Sequence, residues 1–245
     1  MKTIYKKAPI LEAVIDIGVI LPSNFDVKDL LKVMPEGTDS YQTGKEVFNL
    51  QGQFGILPTG AATSNANKES IGYQFLNEDN KYVLYCRKNG FALSKLRPYD
   101  SWEPFRKEAH RLWIKYKELF EPEKISRIGI RYINRLEIPT PILDFKEYLL
   151  TYPEVAPQLP QGLSSCFMRL EAPYSENKAI LVTTLASTPS PSNDIAYIIL
   201  DSDLIRLVEI PQNDSEIWSL IDELHSKHDL VFNSSVTEKY KELIR

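Results

Sequence analysis

The 245-residue chain is long enough for one large domain or two small ones, burying roughly 70–75% of its unfolded surface. Its composition, 43% hydrophobic and 25% charged, is that of an ordinary globular protein, and a net charge of −4 excludes a surface that attracts polyanions everywhere. No apolar run approaches the ~20 residues of a membrane helix, and no signal-peptide pattern opens the sequence, so a cytoplasmic protein without membrane contact is expected.

Leu11, Ala13, Ile15, Ile17, Val19 and Leu21 alternate with other residues up to Pro22, the pattern of a strand. Phe25–Leu31 then reads as a short helix, started near Asn24 or Asp26 and stopped before Pro35. Strands are predicted over 46–56, 71–76, 82–87 and 91–96, with Lys88-Asn89-Gly90 as a tight hairpin turn. The small, polar stretch from Pro58 to Asn67 reads as a mobile loop. A helix follows from Ser101 to about Phe120, with Phe105, Ala109, Leu112, Trp113, Tyr116 and Phe120 as its apolar stripe.

The next strand, Arg127–Ile138, ends at Pro139. Ile128, Ile130, Tyr132, Leu136 and Ile138 fall on even positions, and Arg127, Arg131 and Arg135 on odd ones. Side chains alternate across a strand, so this one is half-buried and carries an arginine stripe on its other face. Strands over 164–170, 179–186 and 195–210 follow, with a loop at 187–194. A long helix capped by Asp214 or Ser215 carries Ile217, Leu220, Ile221 and Leu224, and a last helix spans 236–244. Cys86 and Cys166 fall in strand-like runs and are expected as buried free thiols.

Phe25-Asp26-Val27-Lys28-Asp29-Leu30-Leu31-Lys32-Val33-Met34-Pro35-Glu36 matches Leu143-Asp144-Phe145-Lys146-Glu147-Tyr148-Leu149-Leu150-Thr151-Tyr152-Pro153-Glu154 at one constant offset. Each follows an alternating strand that ends in proline. The predicted fold is therefore α+β and built from two related halves. Each half runs strand, short helix, antiparallel strands, long helix, with the helices packed on one face of the sheet. The repeats are placed at 1–122 and 123–245 within one compact unit, and the two first strands are expected to pair at the junction. His110 and His225 occupy corresponding points of the long helices.

The candidate site residues follow from charge placement. Arg127, Arg131 and Arg135 form either an anion groove or a structural ladder against acids such as Glu12 and Asp16, and the ladder is favoured. Arg97 and Tyr99, among Arg87, Lys95, Trp102, Arg106 and Lys107, mix cations with aromatics in the manner of a ligand surface for single-stranded nucleic acid. The commoner origin of such a mixture is core aromatics beside solvated cations. Asp201 and Asp203 share a strand face and form a weak divalent-metal motif with Glu12 or Asp16. His225 and His228, with Asp222, lack a third zinc ligand and read as helix-surface histidines. There is no P-loop, dinucleotide fingerprint or nucleophile elbow, so no catalytic residue and no cofactor is assigned.

Several stretches resemble a sporadically distributed family of uncharacterised bacterial and archaeal proteins. They are the opening Tyr5-Lys6-Lys7-Ala8-Pro9-Ile10-Leu11-Glu12-Ala13, Gly90–Tyr99, Trp102-Glu103-Pro104-Phe105, and above all Arg131-Tyr132-Ile133-Asn134-Arg135. The resemblance covers most of the chain and brings no assigned activity. The patchy distribution implies a mobile or defence-associated locus. The expectation is a non-catalytic binding or regulatory protein acting through a protein partner, with a homodimer as a further arrangement. The competing expectation is a nucleic-acid-binding protein or a metal-dependent nuclease using Asp201 and Asp203.

Overall fold

The computed structural model describes all residues except 1–4, 6, 35–39, 43, 57–61, 141–143, 162–164 and 191, with the backbone alone at 51–56, 62–67 and 177. A long antiparallel sheet is built from β1 (Ile10–Ile20), β2 (Lys45–Ile56), β3 (Ala62–Leu76), β4 (Tyr82–Arg87), β5 (Gly90–Leu96), β6 (Lys124–Pro139), β7 (Phe167–Tyr174), β8 (Ala179–Thr188) and β9 (Ile195–Arg206). The order across its nine strands is β2-β3-β4-β5-β1-β6-β9-β8-β7. β1 lies between β5 and β6, and β6 lies between β1 and β9. The two first strands therefore meet in the middle, and each is flanked by the last strand of its own half.

One face of the sheet is covered by α1 (Trp102–Phe120), α2 (Phe145–Tyr148), α3 (Asp214–Ser235), α4 (Glu238–Ile244) and a 3-10 turn at Val27–Val33. The alternation seen in the sequence decides which side chains they cover. Ala13, Ile15 and Ile17 of β1 stand beside Tyr132, Ile130 and Ile128 of β6 in the same core. Leu112, Trp113 and Tyr116 of α1 lose all contact with solvent, and the rings of Trp113 and Tyr116 meet Phe91 edge-on. Each such buried side chain contributes roughly 1.5–3 kcal/mol. A smaller core under α2 and α4 gathers Leu136, Ile138, Leu185, Ile198 and Tyr240.

The short helices are started by acids in the way the repeat implied. Asp26 accepts from the Lys28 amide and Asp144 from the Lys146 amide, which satisfies amides left open at a helix start. α3 differs in detail, because Asn213 and not Asp214 or Ser215 caps it. Asp214 turns instead to α1, accepting from Trp113 Nε1 at 3.1 Å and from Lys117.

Three boundaries depart from expectation. Residues 62–67, read as loop, belong to β3, where they pair with β2. Backbone hydrogen bonds hold that hairpin together, and small polar side chains do not prevent it. The rest of that predicted loop, 58–61, lies outside the described residues. β7 runs later than expected, to Tyr174, and takes Pro173 onto the sheet edge, where a missing N–H breaks no ladder bond. β9 stops at Arg206. That side chain donates to the carbonyls of Val208 and Glu209 and folds the following residues into a turn. Both cysteines are free, with Cys86 buried in β4 and Cys166 half-buried just before β7. No described helix is long and apolar enough to cross a membrane.

Candidate functional site

The arginine stripe lies on the sheet face opposite the helices. Arg127 is bonded to Asp16 of β1, and the other oxygen of Asp16 accepts from Arg87. Arg131 donates to both oxygens of Asp201, from Nε at 2.8 Å and from Nη2 at 2.6 Å. The expected partner of Arg131 was Glu12 or Asp16. β9 supplies it instead, because Ile133 of β6 lies opposite Asp201 and one step along the strand brings Arg131 within reach. With three arginines held by two aspartates, this part of the face is a ladder with little net charge.

The same contacts occupy the proposed metal ligands. Asp201 is held by Arg131, and Asp16 by two arginines. Among the described residues, no group of three His, Cys, Asp or Glu side chains stands close enough together to hold a metal ion. Asp203 lies over Gly129 beside this ladder and has no hydrogen bond of its own among the described residues. Burial pushes its carboxyl up to about 6, with Asp16 and Asp201 adding to the rise and Arg131 opposing it.

Arg135 leaves the ladder and joins Arg97 and Tyr99, the other two predicted ligand residues, around one cavity of about 540 Å3. The way β1 begins creates this space. Pro9 has no N–H to give, so the ladder starts at Ile10, and the preceding segment crosses from the sheet to α4, where the Lys7 amide donates to the Ile244 carbonyl at 3.1 Å. β5 ends at Leu96 while β6 runs on to Pro139, which leaves a notch between Arg97 and the far half of β6.

Among the described lining residues, Lys7, Arg97 and Arg135 supply positive charge to the cavity, against Glu137 alone. Arg135 donates to Glu137 at 2.9 Å and lies 4.4 Å from the Tyr197 ring centre, yet its Nε is buried without a partner. The Arg97 guanidinium and the Lys7 ammonium have no ion pair or hydrogen bond among the described residues. A buried N–H without an acceptor is costly, so such a site favours an anion that brings oxygens to it. Tyr99 forms one wall. Its hydroxyl lies 3.2 Å from that of Tyr132, and burial pushes its pKa up to about 12, so at neutral pH it adds no charge.

Sequence reasoning misplaced the two histidines of α3. His225 and His228 are buried at 7% and 4% exposure, not on the helix surface. The spacing carried the signal, since His225 lies one turn from Ile221 and His228 one turn from Leu224, within the apolar stripe. They face the sheet and a second cavity behind Tyr99. Compared with protein-family models and with curated proteins, the chain matches none.

Proposed function

We propose that this is a non-catalytic binding protein that recognises a protein partner by an acidic segment, held in the cavity of Lys7, Arg97 and Arg135. The observation that carries this reading is the surplus of unneutralised cation there, in a chain whose net charge is −4. Elsewhere on the sheet Arg87, Arg127 and Arg131 are already met by aspartates, which leaves less for a long phosphate backbone to neutralise. The edge strand β7 adds apolar surface suited to protein contact, with Phe167 75% exposed.

The test is fluorescence anisotropy with a labelled oligoglutamate peptide at low salt. Arg97→Gln is expected to weaken binding roughly tenfold, a loss of about 1.4 kcal/mol, without moving the melting temperature, because the Arg97 side chain has no ion pair or hydrogen bond among the described residues. Absence of peptide binding overturns the proposal. A salt-sensitive gel shift with single-stranded nucleic acid, abolished by Arg97→Gln, establishes the competing reading.

We further infer that the two halves derive from one ancestral unit. In support, β1 and β6, β5 and β9, and α1 and α3 hold equivalent places in the order of elements and in the sheet. One register argues that the halves have drifted. At the offset of the matched helices, Ala13, Ile15 and Ile17 fall on Arg131, Ile133 and Arg135, on opposite faces of the sheet. An odd-numbered shift between first strand and short helix in one half restores the match.

A further inference from the structure

The second cavity, about 330 Å3, lies between the sheet and α1 and α3, and shares Tyr99 and the segment around Pro9 with the first. Its floor is polar. Tyr132, Asn134, Ser202, His225 and His228 are all buried, in a layer that is otherwise aliphatic and aromatic. The Tyr132 hydroxyl lies 2.9 Å from His225 Nδ1, continuing the contact from Tyr99. Ser202 Oγ lies 3.3 Å from His228 Nδ1, and His228 Nε2 lies 2.7 Å from the carbonyl oxygen of Ile130. A carbonyl only accepts, so His228 carries its proton on Nε2, and Nδ1 takes the serine hydroxyl. Burial lowers its pKa to about 4, and the ring is neutral at pH 7.

The walls are aromatic. Trp102 stacks on His225 with ring centres 3.9 Å apart and planes 8° apart, and Tyr5 meets Phe232 edge-on. Charge at the cavity has one sign. Asp100, Glu103 and Asp229 contribute to the lining, and among the described lining residues there is no lysine or arginine. Lys95 stands 3.3 Å from Asp100, whereas Glu103 has no ion pair or hydrogen bond among the described residues. Asp229 lines the cavity beside these rings, and its charge adds a little to the rise that burial causes in the hydroxyl pKa values of Tyr5, Tyr99 and Tyr132. Aliphatic side chains would fill this layer at less cost than a connected polar network, so the network is suited to orienting a guest.

We infer that this cavity binds a small organic cation, an ammonium with an apolar body, held between the aromatic rings and the carboxylates of Glu103 and Asp229. Aromatic faces attract cations through their quadrupole, and desolvation in a pocket strengthens that attraction. An anion would meet the carboxylates of Asp100, Glu103 and Asp229 here, and no cationic side chain among the described lining residues to offset them. A polar group on the guest reaches the Tyr132–His225 and Ser202–His228 pairs, which offer both donor and acceptor.

The experiment is titration calorimetry with choline and with its neutral isostere 3,3-dimethyl-1-butanol, followed in parallel by tryptophan fluorescence. Choline is expected to bind saturably and the isostere at least about tenfold more weakly, in line with a cation–π and carboxylate contribution. Glu103→Gln and Asp229→Asn are each expected to weaken choline several-fold. Glu103 is exposed, so its variant retains the fold even if Asp229→Asn does not. Arg97→Gln, in the other cavity, is expected to leave choline binding unchanged, which separates this site from the acidic-segment site. Equal affinity for the isostere, no saturable binding of choline or of phenethylammonium, or indifference to Glu103→Gln overturns the inference.

Discussion

Arg131 and Asp201 show what one ion pair on a sheet face is worth. Nε and Nη2 of the guanidinium each meet one carboxylate oxygen, Asp201 keeps 15% of its side-chain surface and Arg131 45%. Partial exposure puts the pair above a freely solvated bridge and below a fully buried one. Arg131→Ala is expected to lower stability by about 1–2 kcal/mol in urea unfolding, because it leaves Asp201 beside Asp203 without its bidentate partner. Most of that loss is expected to be shared with Asp201→Ala in a double-mutant cycle. Additive losses would show that the bridge contributes nothing. That Arg131 meets a carboxylate on a neighbouring strand was readable from its place on a half-buried strand. Its partner was not, because β9 lies about 70 residues away in sequence and only strand order brings Asp201 beside it. The same holds for the cavity, since Arg97, Tyr99 and Arg135 were each visible as candidates while their meeting depended on where β1 begins.

At the level of elements, alternation made β1, β4, β5 and β6 plain, and apolar stripes did the same for α1 and α3. The hairpin of β2 and β3 was half-hidden, because its outer part pairs through the backbone and shows little side-chain pattern. The bulge that bends it was invisible. Val47 pairs with Gly72 but Phe48 with Ser70, so Ile71 is the extra residue. Gly72 sits at φ +153°, and a Cβ there would stand 2.1 Å from the Cys86 carbonyl oxygen. Gly72→Ala is expected to cost at least about 2 kcal/mol, seen as a lowered urea midpoint. Gly129→Ala is the control. Its Cβ would find only ordinary contacts from 3.6 Å outward, and a far smaller change is expected.

For the whole molecule, half-buried Asp203 and buried His228, on opposite faces of the sheet, oppose each other as pH changes. Asp203 titrates at about 6 when folded, against 3.8 ordinarily, so the folded chain binds more protons in that interval and loses stability as pH rises through it. His228 titrates at about 4 when folded, against 6.5, so the unfolded chain binds more protons there and stability falls as pH drops. The two slopes offset each other over much the same interval. Asp203→Asn is expected to be more stable than the parent near neutral pH, by about 2 kcal/mol, and to lose stability more steeply on acidification. Urea midpoints measured at intervals between about pH 4 and 7 decide this. A variant whose profile runs parallel to the parent would sink the assignment.

The order of strands also governs how the chain assembles. β2, β3, β4 and β5 pair with their neighbours in sequence, as do β7, β8 and β9, and these hairpins close locally. β1 must wait for β5 and then for β6, and β6 for β9. The flanks of the sheet therefore form before its middle, and such long-range closures fold slowly. During synthesis the first half is complete while one side of its 11-residue β1 still lacks a neighbour. Until Lys124–Pro139 leaves the ribosome, that bare edge offers its backbone to any other strand, and aggregation competes with folding there most strongly.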